Sequence, residues 1–469
     1  MDLVDLHDRN LRMVHRDSGV RRAFQTTRPD RGTRRTKLAR SPGLMQSANQ
    51  IGSPSHNRAD AADLVSGLAN KAWEIVVDFE LSREQRDIKA RAAAFVEEVC
   101  RPLEDSWGVD DYAVPRDIFM GVVQKFREYG FRGLAVPKEA GGQGLGTIAK
   151  CLVYEEIVKS PVMHGLLATW SGFLDPHPAL YVAPDWQKEA YLYPILKEDK
   201  FYHINISEPG AGSDAAGITT TAVRDGDNYI INGIKRWAPP PNHPGITPKY
   251  LLCYAVTDPS RGYEGISLFL VDYPNPGVSV LREYETMAPG TYLGRSCDYQ
   301  YKDCVVPAKN MLGAEGMGFR YMMDQLNRNR TVIGARLTGT ARWAQTQAAK
   351  RARERETFGK PLAERQAIQW MLAESEMDLE QSRLMVYKTA WMLDRGLDAR
   401  KEAAMVKCFA PLAACRVIDR AIQIHGGLGV LRENRFGQLY FQSRIAQVAE
   451  GTTEVMKMTI AREVLRECE

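Results

Sequence analysis

The chain changes texture twice, and that ordering restricts its fold more than any other feature. Helical segments run from about Leu81 to Leu196, short β-rich runs begin near Phe201, and long helical patterns return from about Gly316. Strands confined to one block between two helical blocks exclude an alternating βαβ pattern, and with it a doubly wound parallel sheet.

Local signals support each block. "LSREQRDIKARAAAFVEEVC" opens with Ser82 as a helix cap and places Glu84 in the first turn. The stretch "VPKEAGGQGLG" breaks the helical region with Pro137 and four glycines and reads as a loop. "TTTAVRDGDNYIINGIKRW" reads as two strands around Asp-Gly-Asp, followed by "YLLCYAVTD", "GISLFLVDY" and "SCDYQYKDCVV". The later helices are expected over Phe319–Arg353, Leu362–Arg395, Lys401–His425 and Thr453–Arg466. No internal repeat is evident.

Charge is concentrated at one end. Residues 1–45 hold eleven Lys/Arg against five Asp, a net of +6, so the rest of a chain of net charge +4 carries −2. A nucleic-acid role would have to reside in that tail, which has few apolar residues and no binding module, so no nucleic-acid partner is expected. The tail reads as a disordered extension. Its acids Asp2, Asp5, Asp8 and Asp17 count against an organelle-targeting peptide, and a start at Met45 is the other reading. No run of eighteen apolar residues occurs, so no membrane span is expected. Eight cysteines without a Cys-x-x-Cys pair argue against a zinc site or a disulfide framework, and no metal is expected. Reduced thiols suit a cytoplasmic setting, with the mitochondrial matrix as the alternative.

Two stretches invite a chemical reading. "SEPGAGSDA" contains Gly210-x-Gly212-x-x-Ala215, which formally satisfies a dinucleotide fingerprint. The β-branched "GITTTAV" follows where that fingerprint needs a helix, so a Rossmann site is rejected. A cofactor-facing glycine loop and a structural turn both remain open. The second stretch is "RIAQVAEGTTEVMKMTIAREV", where Thr452 or Thr453 caps a helix, Glu454 lies in its first turn, and Val455, Met458, Val464 and Leu465 form the inward stripe. On this evidence alone Glu450 is a loop acid.

Three separated motifs, "ISEPGAGSD", "RETFGKPL…Q" and "QIHGGLGV…AEGTTEV", occur in that order and together resemble the acyl-CoA dehydrogenases over roughly Phe79 to Leu465. The resemblance implies an α+β, mostly α fold: a tail over 1–75, an N-terminal helical domain over 76–198, a central β-barrel-like domain over 199–312, and a C-terminal four-helix bundle over 313–469. It also implies FAD, an acyl-CoA substrate, an electron-transfer flavoprotein or similar acceptor, and a homodimer or homotetramer. Glu450 takes the place of the base that removes the α-proton of the thioester while flavin N5 accepts the β-hydride, giving the trans-2-enoyl-CoA. Arg330 and Asn327, in "LNRNR", would sit beside that base and the substrate.

The same resemblance assigns Ile206, Ser207, Gly212 and Ser213 to the flavin, with Ser213 also on the acyl-CoA channel. Trp237 would stack by the flavin near the docking surface of the acceptor. Arg355, Thr357, Phe358 and Gln366, with Gln423, Gly426 and Gly427, would reach the adenosine diphosphate half of an FAD held by a neighbouring subunit. Thr452 and Glu454 would touch the flavin, and Gly451 and Arg462 the substrate.

Some positions depart from the pattern. In "WAPPPNHPGITP", Pro239 stands where the family usually has a Thr or Ser whose hydroxyl bonds flavin N5, and proline offers neither a hydroxyl nor an N–H. Ala449 replaces an aromatic residue before the base, and "YFQSRIAQVAE" lacks the usual Arg-Asp pair. Asn329 fills the place where branched-chain relatives carry their base, which leaves Glu450 in that role. An acyl-CoA oxidase, a flavin monooxygenase and a catalytically silent flavoprotein are the alternatives on this scaffold.

Overall fold

The computed structural model describes residues 80–106, 116–161, 163, 175–197, 200–241, 247–285, 287 and 295–468; the expected basic tail lies outside the described residues. Helix α1 (Arg83–Phe95) starts as its sequence predicts. Ser82 Oγ accepts from the Gln85 N–H, and Gln85 Oε1 accepts from the Ser82 N–H, a reciprocal cap that satisfies two end donors. Its inward positions Ile88, Ala92 and Phe95 recur at helical spacing, and Phe95 meets Phe126, Tyr129 and Phe131 edge-on. Helix α2 (Arg116–Glu128) supplies Phe126, and α3 (Gly146–Ile157) is buried on nearly every side.

The middle of the chain forms a curled seven-stranded sheet in the order β1-β4-β2-β3-β7-β6, with β5 on β4. The strands are β1 (Tyr202–Asn205), β2 (Thr221–Asp225), β3 (Asn228–Ala238), β4 (Tyr250–Val256), β5 (Ile266–Asp272), β6 (Val278–Glu285) and β7 (Arg295–Pro307). β2 and β3 form the expected hairpin, Asp225 opposite Asn228. Strand β4 is buried along almost its whole length, which suits its unbroken apolar run between β1 and β5. β1 and β6 were not foreseen: "YHIN" is short, and "VSVLREYE" is mostly exposed at the sheet edge.

The C-terminal part is a helix bundle of α4 (Gly318–Glu354), α5 (Gln366–Asp394), α6 (Arg400–His425) and α8 (Thr453–Glu467). A further helix, α7 (Phe436–Ile445), packs on α6 in a stretch with no clear helical signal. A two-stranded hairpin of β8 (Glu356–Thr357) and β9 (Lys360–Pro361) links α4 towards α5. Helix α8 corrects one expectation. Thr453, Met456 and Glu463 face inward, whereas Met458, Val464 and Leu465 are exposed. The preceding turn sets this phase by placing Met456 against Gly451, where an added Cβ would lie 2.7 Å from Met456 Cε.

Close helix contacts join α3 to the bundle. A Cβ at Gly339 of α4 would lie 2.1 Å from the carbonyl oxygen of Glu155 on α3, so only glycine permits this approach. Glu155 accepts from Arg383 Nε at 2.9 Å and Tyr387 Oη at 2.5 Å, both on α5. Asp394, the last residue of α5, caps α3 across the fold by accepting from the N–H groups of Thr147 at 2.5 Å and Ile148 at 3.0 Å. Asp394→Ala should cost about 1–2 kcal/mol of local stability. Hydrogen exchange at the Thr147 and Ile148 amides should then accelerate roughly 5- to 30-fold, and unchanged rates would remove this capping role.

Candidate active site

Glu450 lies in the tight turn between α7 and α8, where two successive residues adopt left-handed backbone: Glu450 at φ 57° and Gly451 at φ 100°. That conformation costs a non-glycine residue about 1–2 kcal/mol, so the surroundings must hold it. Two buried cations do so. Arg330 of α4 donates from Nε to the Glu450 carbonyl at 3.1 Å and from Nη1 to Asn327 Oδ1 at 3.1 Å. Lys407 of α6, fully buried, donates from Nζ to the Gly451 carbonyl at 3.0 Å and also to the Ala446 carbonyl. Thr452 then caps α8 by accepting from the Val455 N–H at 3.3 Å.

With both cations bonded to the backbone, the Glu450 side chain keeps its own acceptor capacity. Its Oε2 is buried without a hydrogen-bond partner. Burial raises the pKa of this carboxyl, and the charges of Lys407, Arg330, Arg336 and Lys150 oppose the rise without cancelling it. Burial also brings Lys407 down to about 8 against the opposing pull of Glu450, and lowers Arg330 and Arg336.

The glycine loop of residues 206–213 is fixed by a second buried centre. Lys235 of β3 donates to the Ile206 carbonyl at 3.0 Å and to Glu208 Oε1 at 2.8 Å. Glu208 also accepts from the N–H groups of Thr219 and Thr220 and from Thr219 Oγ1. The Ser207 carbonyl accepts from the Arg236 N–H at 2.7 Å, which ties the loop to β3. Ile206 and Ser207 are half-buried, while Gly212 and Ser213 are exposed. At the end of β3, Trp237 is exposed with φ 68° and lies 5.2 Å from the Tyr284 ring. The Pro239 carbonyl accepts from Tyr299 Oη at 3.0 Å.

The remaining predicted residues fall elsewhere. Arg355, Phe358 and Gln366 are exposed around the β8–β9 hairpin, with Thr357 half-buried, and Phe358 has φ 49° and 99 % exposure. Gln423, Gly426 and Gly427 are exposed at the end of α6. Both groups border one apolar cluster containing Ala352, Leu362, Ile424 and Phe436. Along α4 the 24 residues from Arg330 to Glu354 span about 36 Å, so this end of the bundle is remote from Glu450. Glu454 and Arg462 are exposed on α8. The structure therefore brings together Glu450, Gly451, Thr452, Asn327 and Arg330, and places the hairpin residues and the end of α6 at the far end of the bundle.

Sequence reading overlooked Lys407, Arg336, Lys150, Glu208 and Lys235. Lys407 had a signal, being the one charge in the helical run "AAMVKCFAPLAA". Lys235 and Glu208 belong to different segments and reveal their pairing only in three dimensions.

The glycines expected to meet FAD stand in open space. A Cβ at Gly210, Gly212, Gly426 or Gly427 would meet nothing within 4 Å, so each backbone can be approached closely. Among the described residues, no group of three or more His, Cys, Asp or Glu side chains could hold a metal ion.

Comparison with known proteins gives the same picture. Three family profiles match consecutive parts of the chain: "Acyl-CoA dehydrogenase, N-terminal domain" over 82–199, "middle domain" over 204–304 and "C-terminal domain" over 316–465. The chain is 36 % identical over 383 residues to the 3-(aryl)acrylate reductase of Clostridium sporogenes, covering 81 % of this chain and 98 % of that protein. It is 34 % identical over 349 residues to the caffeyl-CoA reductase-Etf complex subunit CarC of Acetobacterium woodii, covering 74 % and 89 %. Among solved structures, the FAD complex of PigA superposes with a TM-score of 0.76 at 25 % identity, covering 83 % of this chain and 99 % of that one.

The Glu208–Lys235 pair yields a test. Burial raises the Glu208 carboxyl, but Lys235 and the threonine donors outweigh it and hold the group at about 2 in the folded chain, against 4.5 ordinarily. Its folded pKa is depressed, so the pair's stabilisation is complete above pH 4.5 and is lost as pH falls towards 2. Lys235→Met should cost about 3–5 kcal/mol at neutral pH by stranding a buried carboxylate. The deficit relative to wild type should shrink as pH falls from 4.5 towards 2 in thermal unfolding; a constant deficit would rule out this pairing as its source.

Proposed function

The chain belongs to the acyl-CoA dehydrogenase family, an FAD-dependent oxidoreductase acting on a CH–CH group of an acyl-CoA-type substrate, and from this we propose that it dehydrogenates an acyl-CoA to the trans-2-enoyl-CoA with Glu450 as the α-proton base. The observation that carries this reading is the buried Glu450 Oε2, unpartnered in a turn whose carbonyls are already bonded to Arg330 and Lys407.

A base must be within hydrogen-bond reach of the proton it removes and must not be consumed by another partner. Arg330 and Lys407 serve the second need, because they fix the turn through its backbone and leave the carboxylate open. Their charges also keep the carboxyl from rising as far as burial alone would drive it. The Glu450 N–H takes no acceptor among the described residues and can donate to the thioester oxygen as negative charge develops there. Bound FAD supplies hydride transfer at the β-carbon. Asn327 steadies Arg330, and Gly451 admits Arg330 Nη2, which would lie 3.1 Å from an added Cβ.

The reductase names of the two relatives favour a second reading, in which the same residues work in reverse on an enoyl-CoA. Glu450 would then return the proton to the α-carbon, and the electron partner would set the direction. The Etf complex named for CarC supports an electron-transfer flavoprotein as that partner, with Trp237, Tyr284 and Arg236 as the proposed contact.

Assembly into a homodimer or homotetramer is part of the same proposal. Trp370, Met377, Leu384 and Trp391 recur every seven residues along α5, and all are exposed. Such a stripe is a contact face. The hairpin and α6 end lie too far along the bundle to serve a flavin at their own Glu450, so a second copy gives them one. Trp370→Glu combined with Leu384→Glu should yield smaller species in light scattering and lower FAD retention. Unchanged mass would place the contact elsewhere.

Glu450→Gln should retain FAD and thioester binding while anaerobic flavin reduction slows roughly 10²- to 10⁴-fold. In the wild type the reduction rate should fall as pH drops through a pKa above 4.5, since only the deprotonated carboxylate accepts the proton. Full activity in the variant would remove Glu450 from this role. Bleaching by acyl-CoAs supports dehydrogenation, whereas reoxidation of chemically reduced flavin by enoyl-CoAs alone supports the reductive reading.

A further inference from the structure

Arg336 of α4 is a buried cation that the proposed chemistry does not use. It is 8 % exposed, its Nε is buried without a hydrogen-bond partner, and among the described residues no carboxylate forms an ion pair with it. Its neighbours in sequence, Val332 and Ala335, pack in the same apolar cluster as Cys151, Leu152 and Tyr154 of α3, so it lies on the side of α4 that meets α3. Its charge is felt by both Tyr154 and Glu450.

The rest of this region is polar as well. Lys150, one turn before Tyr154 on α3, pairs with Asp175 at 2.9 Å, and both side chains are nearly inaccessible. Asp175 Oδ1 is also buried without a hydrogen-bond partner. Around Glu450 the cations are therefore Arg330, Lys407, Arg336 and Lys150, while the described acids are Glu450 and Asp175. With Lys150 already paired to Asp175, Arg336 is left without an ion-pair partner among the described residues. A buried guanidinium without a counter-charge is strongly unfavourable, and a purely aliphatic acyl chain would leave it so. A carboxylate would relieve it, because its two oxygens match the planar donors of arginine.

We propose that Arg336 selects an acyl-CoA whose far end carries a carboxylate, the substrate class being ω-carboxyacyl thioesters. This rests on the thioester reading above and narrows it. The thioester end lies at Glu450 and the acid end at Arg336, with Tyr154 as a further hydroxyl donor along the α3–α4 seam.

The test uses the FAD-loaded enzyme and three size-matched pairs: butyryl- and succinyl-CoA, pentanoyl- and glutaryl-CoA, hexanoyl- and adipyl-CoA. Binding is read from perturbation of the oxidised flavin spectrum, and reaction from anaerobic bleaching. At least one acid-ended thioester should bind roughly 10- to 100-fold more tightly than its methyl-ended partner, the range of one charge-assisted contact. Arg336→Met and Arg336→Gln should abolish or invert that preference while retaining bound FAD. The proposal is overturned if every methyl-ended partner binds as well or better, or if the acid preference survives in both variants. Should one variant fail to fold, the other and the wild-type pairs still decide. Bleaching is a separate readout: acid preference in binding without bleaching defeats dehydrogenation alone, and bleaching by methyl-ended thioesters without acid preference defeats this proposal alone.

Discussion

The site depends on one turn whose carbonyls are held by buried cations. Glu450 and Gly451 occupy left-handed backbone, a conformation the local sequence cannot enforce. Arg330 from α4 and Lys407 from α6 supply the enforcement, each bonding a carbonyl of that turn. Because these helices belong to the bundle core, the turn inherits their rigidity. The carboxylate emerges from a fixed backbone without being consumed by the groups that fix it.

The sheet uses the same device. Lys235 reaches across to Glu208 and the Ile206 carbonyl, so the glycine loop before β2 is held by a charge buried in β3. An ion pair in a dry setting adds little net stability over an apolar pair but is costly to break, which suits it to fixing a loop in one conformation. Buried polar groups thus fix both the Glu450 turn and the glycine loop. The seam between α3 and α4 is the exception, since Arg336 is buried there with its Nε unbonded and with no ion-pair partner among the described residues. An unpaired interior guanidinium is what a substrate anion would be expected to complete.

The fold was legible where signals were local. The reciprocal cap at Ser82, the Asp-Gly turn between β2 and β3, and the long apolar periodicities of α4, α5 and α6 each lie within one segment. The β-branched run after Ala215 correctly separated the glycine loop from a helix-bound dinucleotide site, for only a three-residue helical turn precedes β2. The inward face of α8 was misread because its apolar residues are spread around the helix. The turn ahead of it, rather than the pattern, decides which ones are covered. Strand β6 was missed because an edge strand needs no apolar face.

By itself the sequence determined the α–β–α order, the helix and hairpin boundaries, and the identity of Glu450 and Arg330 as residues to watch. Each depends on neighbours in the chain or on a motif read along it. The tertiary structure decided which charges face one another. Lys407 and Arg336 are isolated cations within their helical segments, and nothing nearby in sequence reveals that one binds the Glu450 turn while the other has no ion-pair partner among the described residues. Electrostatic pairing depends on distance through the folded interior, where burial strengthens each charge's effect, and that distance exists only once the helices have packed.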